Sequence, residues 1–137
     1  MESMPGIQFL IDGPVPPHNR RVHSIATLSE RFSTILSSVD VIMTKPGYGT
    51  TIEAVATHVP VVYVRRYDFT EEEQIVAYLH RYGRGVELSR ADFLEARWEP
   101  AIRQALTLPK PASPPPACTG AADAAMHLLP FLQPSRD

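Results

Sequence analysis

Residues 40–54, DVIMTKPGYGTTIEA, decide the fold. Val41, Ile42 and Met43 form an apolar run between Asp40 and Thr44, short enough for a strand buried on both faces. Pro46 stops that strand, because proline has no N–H to give to a β-ladder. Gly47 and Gly49 flank Tyr48, and glycine lets the backbone take φ > 0 or come close to a ligand. Thr50 stands where a helix N-cap belongs, and Glu53 follows at the capping-box spacing. A strand, a glycine turn and a helix start leave free N–H groups and a partial positive charge at the C-terminal end of the strand. That is a site for a phosphate or diphosphate. The same residues also suit a plain strand–turn–helix corner, in which the glycines and the T-x-x-E cap only make the turn. On this stretch alone both readings stay open. Two phosphate motifs are excluded: Ile52 breaks the G-x-G-x-x-G spacing, and no Lys-Ser or Lys-Thr pair follows the glycines.

Upstream, residues 7–11 (IQFLI) predict a strand ended by Asp12-Gly13-Pro14. Residues 15–20 are proline-rich, too short and too broken for the crossover helix that a parallel neighbour usually requires. Residues 21–25 predict a second short strand. Leu28, Phe32, Ile35, Leu36 and Val39 recur at helical spacing and predict an amphipathic helix over 28–39.

Downstream, residues 51–58 continue the helix, and residues 59–64 are almost unbroken Val and Tyr, a second buried strand. Arg65, Arg66, Tyr67 and Asp68 form the loop after it. Thr70 and Glu73 repeat the capping-box spacing, and Glu71, Glu72 and Glu73 load the first turn of the next helix with the charge its dipole favours. Gly83 suits the end of that helix. Residues 85–88 predict a strand, Ser89 caps a short helix, and Pro100 suits the first turn of another, packed by Trp98, Ile102 and Leu106. Thr119 caps a last helix that runs from Gly120 and ends at Pro130. The alternation predicts an α/β fold: a truncated Rossmann-like parallel sheet with helices on both faces and right-handed crossovers. The expected organisation is a partial domain over 1–107, a proline-rich linker over 108–117 and a C-terminal helix over 118–137 packed on the domain.

The chain has 137 residues, a length that predicts one domain. Its net charge of −2 gives no polyanion-binding surface, so no nucleic acid partner is expected. Cys118 is the one cysteine, which excludes an internal disulfide framework and a cysteine metal cluster. The five histidines (His18, His23, His58, His80 and His127) show no metal-ligand spacing, so no metal and no cofactor are expected. No signal peptide and no membrane span are visible, and the expected location is cytoplasmic. Of the 14 prolines, five fall between Pro109 and Pro116, which marks that segment as neither helix nor central strand.

The order of motifs from Phe32 to Leu88 resembles the C-terminal, donor-binding domain of GT-B glycosyltransferases. The residues that carry the likeness are Asp40, Gly47, Gly49, Thr50, Glu53, Ala54, Pro60, Glu73-Gln74 and Gly83. Lys45 to Thr50, Val64-Arg65-Arg66 and Trp98 to Pro100 are similar to a group of predicted glycosyltransferases and to the glycosyltransferase-like half of plant arabinokinases. The resemblance implies a nucleotide-sugar partner, a UDP-sugar by family habit. Gly47, Tyr48, Gly49, Thr50 and Thr51 would hold the diphosphate, and Glu53 the ribose hydroxyls. Glu73 and Gln74 would read the donor sugar, and residues 23–25 would lie near the base. Arg65 and Arg66 would add charge to the departing diphosphate. Each role has a structural rival: Glu53 and Glu73 as capping acids, Arg65 and Arg66 as solvated loop charges.

A GT-B enzyme reacts between two such domains, and the acceptor-binding domain and the opening strand of the donor domain are not found here. The expectation is therefore a chain inactive without an acceptor domain or partner chain: a fragment of a longer protein, a subunit of a two-chain transferase, or a shortened relative. A non-catalytic interaction module, dimerising through an exposed sheet edge or the C-terminal helix, is the alternative from a different class. A nucleotide-sugar epimerase relative is a third.

Overall fold

The computed structural model describes residues 4–132. The expected α/β architecture is observed. All strand pairs are parallel and lie in two small sheets flanked by helices. In chain order the elements are β1 (Phe9–Ile11), β2 (Val22–Ser24), α1 (Phe32–Ser37), β3 (Ile42–Thr44), α2 (Tyr48–Ala56) and β4 (Val61–Tyr63), followed by α3 (Glu72–Tyr82), β5 (Gly85–Glu87), α4 (Arg90–Leu94), α5 (Glu99–Thr107) and α6 (Gly120–Leu132). One sheet pairs β1 with β2; the other runs β3-β4-β5.

The unbroken apolar run over 59–64 becomes the middle strand of the three. Val61, Val62 and Tyr63 are all buried. Alternate side chains of a strand point to opposite faces. Val61 and Tyr63 enter one cluster with Leu36, Ala54, Val55, Val76 and Leu79, under α1, α2 and α3. Val62 enters the other with Met4, Val86, Ala101, Ile102 and Ala105, under α5. Both faces of this sheet are thus covered, and each fully buried Val or Leu contributes about 2 kcal/mol relative to leaving it in water. β3 was expected to be buried on both faces. Its three residues are only half-buried, because β3 lies at the edge of the sheet.

Four further expectations are corrected. First, β1 and β2 are parallel neighbours without a crossover helix: the connection over 12–21 returns through bends and turns, with His18 at φ +65°, and is long enough for strands of three residues each. Second, the helix over 28–39 is shorter. Ser24 caps a 3-10 turn (Ile25–Thr27), Leu28 is extended, and α1 starts at Phe32. Leu28 and Phe32 are exposed, so that end of the stripe has no surface to hold it helical. Third, Leu106 is exposed, and Ala101 and Ala105 pack α5 together with Ile102. Fourth, α6 runs through Pro130 to Leu132 rather than stopping at Pro130. None of its residues is buried, in contrast to the packing expected of it.

Pro100 lies in the first turn of α5 and Ser89 caps α4 by accepting from the Asp92 amide, both as expected. Trp98 holds the second cluster together: its ring meets Phe9 edge-on and stacks on Phe93, and its Nε1 donates to the Phe93 carbonyl at 2.8 Å.

Candidate functional site

The site lies where β3 and β4 end. Gly47 is extended (φ −148°, ψ 145°) and forms the N-cap of α2, whose first residue is Tyr48. The Gly47 carbonyl accepts the Thr51 amide at 3.0 Å and so starts the helix three residues earlier than the Thr50 cap predicts. Thr50 is therefore inside the first turn, and the Thr50–Glu53 capping box does not form. The amides of Tyr48, Gly49 and Thr50 have no backbone acceptor among the described residues, and glycine offers no side chain to cap them. The Thr51 amide is spent on the helix and its side chain is buried, so of the five expected diphosphate contacts Thr51 does not reach the open face. Neither Gly47 nor Gly49 has positive φ. A β-carbon on Gly49 would meet nothing within 4 Å, and one on Gly47 only the Lys45 carbonyl at 4.0 Å. The protein's own packing thus does not demand glycine here; the open space beside the backbone is what the two glycines create.

Glu53 lies one turn further along α2. Helical side chains lean toward the N-terminus, which directs Glu53 back over the turn containing Gly49 and Thr50. Its Oε2 is the one buried side-chain polar atom among the described residues with no hydrogen-bond partner. With the capping role gone, nothing among the described residues uses that oxygen. A buried carboxylate oxygen left unpaired costs the free energy of its lost hydration, about 1–3 kcal/mol.

The loop after β4 meets this turn from the neighbouring strand. Arg66 donates through Nη2 to the Pro46 carbonyl at 2.9 Å. Arg65 and Arg66, expected as charges for a diphosphate, both pair with Glu72, whose Oε1 lies 3.3 Å from Arg65 Nε and Oε2 3.3 Å from Arg66 Nε. Arg65 also pairs with Glu73. Glu72 further accepts the backbone amides of Arg66 (3.1 Å) and Tyr67 (3.4 Å). It is 1% exposed. Burial alone would raise its pKa, but these amides and guanidiniums outweigh that and hold the carboxyl below its ordinary value. α3 accordingly starts at Glu72 with Glu71 as N-cap, and the expected Thr70–Glu73 box is not made. Glu73 and Gln74 are both exposed.

A cleft of about 270 Å³ is lined by Arg65, Tyr67, Asp68, Phe69, Glu72 and Glu73, among others. The structure thus brings Arg65 and Glu73 to one cleft and joins the glycine turn to the same loop through Arg66. His23, expected near the base, is exposed beside Gln8. A wider cleft of about 360 Å³ lies at the other end of the sheet, against Gly85 and Leu108. There Arg84 donates to the Leu108 and His58 carbonyls.

Glu72 is the residue that sequence reading missed. Three consecutive acids at a helix start have a sufficient explanation in the helix dipole. The available signal was the Arg65-Arg66 pair one short loop upstream, which gives a buried acid two partners.

Among the described residues, no group of three or more His, Cys, Asp or Glu is placed to hold a metal ion. No described helix is long and apolar enough to cross a membrane.

Over 74 residues, 54% of its length, the chain is 40% identical to a protein named L-arabinokinase from Arabidopsis thaliana. The chain spans 7% of that protein's length. No protein-family model and no solved structure matches the chain. The match supports the likeness to plant arabinokinases drawn from Lys45–Thr50, Val64–Arg66 and Trp98–Pro100. It does not reach the GT-B assignment.

Proposed function

We propose that this chain is the nucleotide-sugar-binding half of a glycosyltransferase of the GT-B type, taking a UDP-sugar. The observation that carries this reading is Glu53: a buried carboxylate oxygen without a partner, on the turn of helix that follows three free amides. Two vicinal ribose hydroxyls are donors that such a carboxylate accepts. The amides of Tyr48, Gly49 and Thr50, at the positive end of α2, suit the diphosphate oxygens. Glu73 and Gln74, exposed on the first turn of α3, are available to the hydroxyls of the donor sugar. Arg65 and Arg66 shape the loop rather than meet the leaving group. The arabinose in the relative's name agrees with a sugar-handling role. Transfer itself needs an acceptor-binding domain or partner chain, since no general base is assigned within these residues.

Titration calorimetry with UDP, UDP-glucose and UDP-N-acetylglucosamine tests this, with Glu53→Gln as control. The expected result is binding by the wild type that falls at least about tenfold in the variant, the loss of one charge-assisted hydrogen bond or more. A folded wild type that gives no heat with any of the three overturns the reading. A second reading, a non-catalytic interaction module, draws support from α6, where Met126, Leu128, Leu129, Phe131 and Leu132 are all exposed. It moves ahead in that outcome.

A further inference from the structure

We infer that Glu72 is the positioning residue of the glycine turn: it aims Arg66 at the Pro46 carbonyl and so fixes the extended backbone from which α2 starts. The inference adds to the nucleotide-binding reading, but its first test does not depend on it.

The chain of contacts is continuous. Glu72 is fixed at the start of α3, buried, and accepts both the backbone amide and Nε of Arg66. Those bonds leave Arg66 Nη2 as the arm that reaches the Pro46 carbonyl. The Arg66 guanidinium also lies 4.1 Å above the Phe69 ring, which closes its other side. Pro46 is itself buried, so its carbonyl cannot turn to water for a substitute partner. In a continued helix the Pro46 carbonyl is the group that would accept the Thr50 amide. The Thr50 amide makes no bond to it; Arg66 holds that carbonyl instead, and α2 begins after an extended Gly47.

The adjoining backbone carries a matching sign of constraint. Tyr67 has φ +63°, a conformation a bulky side chain rarely takes. It is held there by its amide on Glu72 and by its hydroxyl, which donates to Glu87 at 2.8 Å. Backbone held in such a region persists only where its surroundings over-determine it, and that is characteristic of segments that present a site.

Hydrogen exchange of the ligand-free chain, read amide by amide, is the test. In Glu72→Gln the bonded amides at the start of α2, Thr51 on the Gly47 carbonyl and residues 52–54 behind it, should exchange about tenfold faster, while those of β4 and β5 keep their rates, as expected of a local opening. Arg66→Lys should give the same local change, since a lysine cannot hold Glu72 and Pro46 together. The double variant should exchange no faster than the faster single one, because both act through one chain of contacts. A uniform rise across the protein, additive effects in the double variant, or unchanged rates over 51–54 overturns the inference. Should Glu72→Gln fail to fold, Arg66→Lys carries the same test. A second arm measures UDP affinity in both variants. Binding by the wild type that neither variant weakens counts against Glu72 alone, whereas a wild type that does not bind counts against the donor site and leaves the exchange result to decide.

Discussion

A β-carbon on Gly83 would lie 2.7 Å from Cγ2 of Val55 and 3.0 Å from both Cδ1 and the carbonyl oxygen of Leu79. Gly83 ends α3 with φ −129° and ψ −159°, an extended conformation open to other residues. The helix end therefore needs glycine for space, not for a left-handed turn, and the space is what lets α3 close on α2. Gly83→Ala should destabilise the protein by about 1–3 kcal/mol, the cost of overpacking a fitted core. Pairing it with Val55→Ala should recover part of that loss in denaturant unfolding, even though Val55→Ala alone destabilises.

Acid should unfold the protein partly through Glu72. Its carboxyl holds its proton less tightly when folded than in the unfolded chain, where the ordinary value is 4.5. The stabilisation it gives is complete above that value and is lost as pH falls through the lower, folded value. At neutral pH, Glu72→Gln should cost about 2 kcal/mol, typical of lost hydrogen bonds to a charged group. The gap between wild type and variant should narrow steadily below pH ~4.5, where the unfolded chain begins to take up the proton. Urea unfolding at a series of pH values reads it directly, and a constant gap contradicts the assignment.

Tyr63 gives the alkaline counterpart. Burial first, and then the nearby Glu87 carboxylate, push its pKa up to about 12 from 10.0. Its hydroxyl lies 2.8 Å from His80 Nε2. The folded state keeps this proton more tightly, so the contribution is whole below pH 10 and disappears as pH rises through about 12. Ultraviolet titration should show Tyr63 ionising last of the five tyrosines, together with unfolding, and Tyr63→Phe should remove that last step. At neutral pH the substitution should cost about 1 kcal/mol or less, because His80 is exposed and finds water.

Removing residues 119–137 should leave the melting temperature within about 2 °C of the parent, since surface changes remote from the core fall within ~0.5 kcal/mol. No described residue of α6 is buried, and Phe131 and Leu132 are 84% and 75% exposed. Light scattering should show less self-association after the cut. A drop of many degrees would mean that α6 has a partner surface in solution.

The sheet was legible because its information is local. A continuous Val and Tyr run is a central strand in almost any context, and Ser89 and Pro100 mark helix starts by their own chemistry. What was not legible depends on distant neighbours. The stripe from Leu28 to Val39 has the right spacing, but a helix forms there only as far as a covering surface holds it. Thr50 and Thr70 both stand at capping-box spacing, yet Gly47 and Glu71 take the cap positions, because the loops between the strands and helices decide where each helix begins. For the candidate site, the glycine turn and Glu53 were visible as residues. That Glu53 lacks a partner follows from the cap at Gly47, and that Arg65 and Arg66 are already paired follows from a fold-back of Glu72 that no periodicity encodes.

The two sheets share no strand, so no ladder of backbone hydrogen bonds carries an opening of one into the other. Residues 9–24 are tied to the rest through side chains, chiefly Phe9 against Trp98. The glycine turn belongs to the other sheet. Opening of the β1–β2 pair should therefore be resisted only by side-chain packing, in the cluster where Met4, Ile7 and Phe9 meet Val62 and Val86. A ligand seated at the turn would protect the three-stranded sheet directly and the β1–β2 pair only through that cluster.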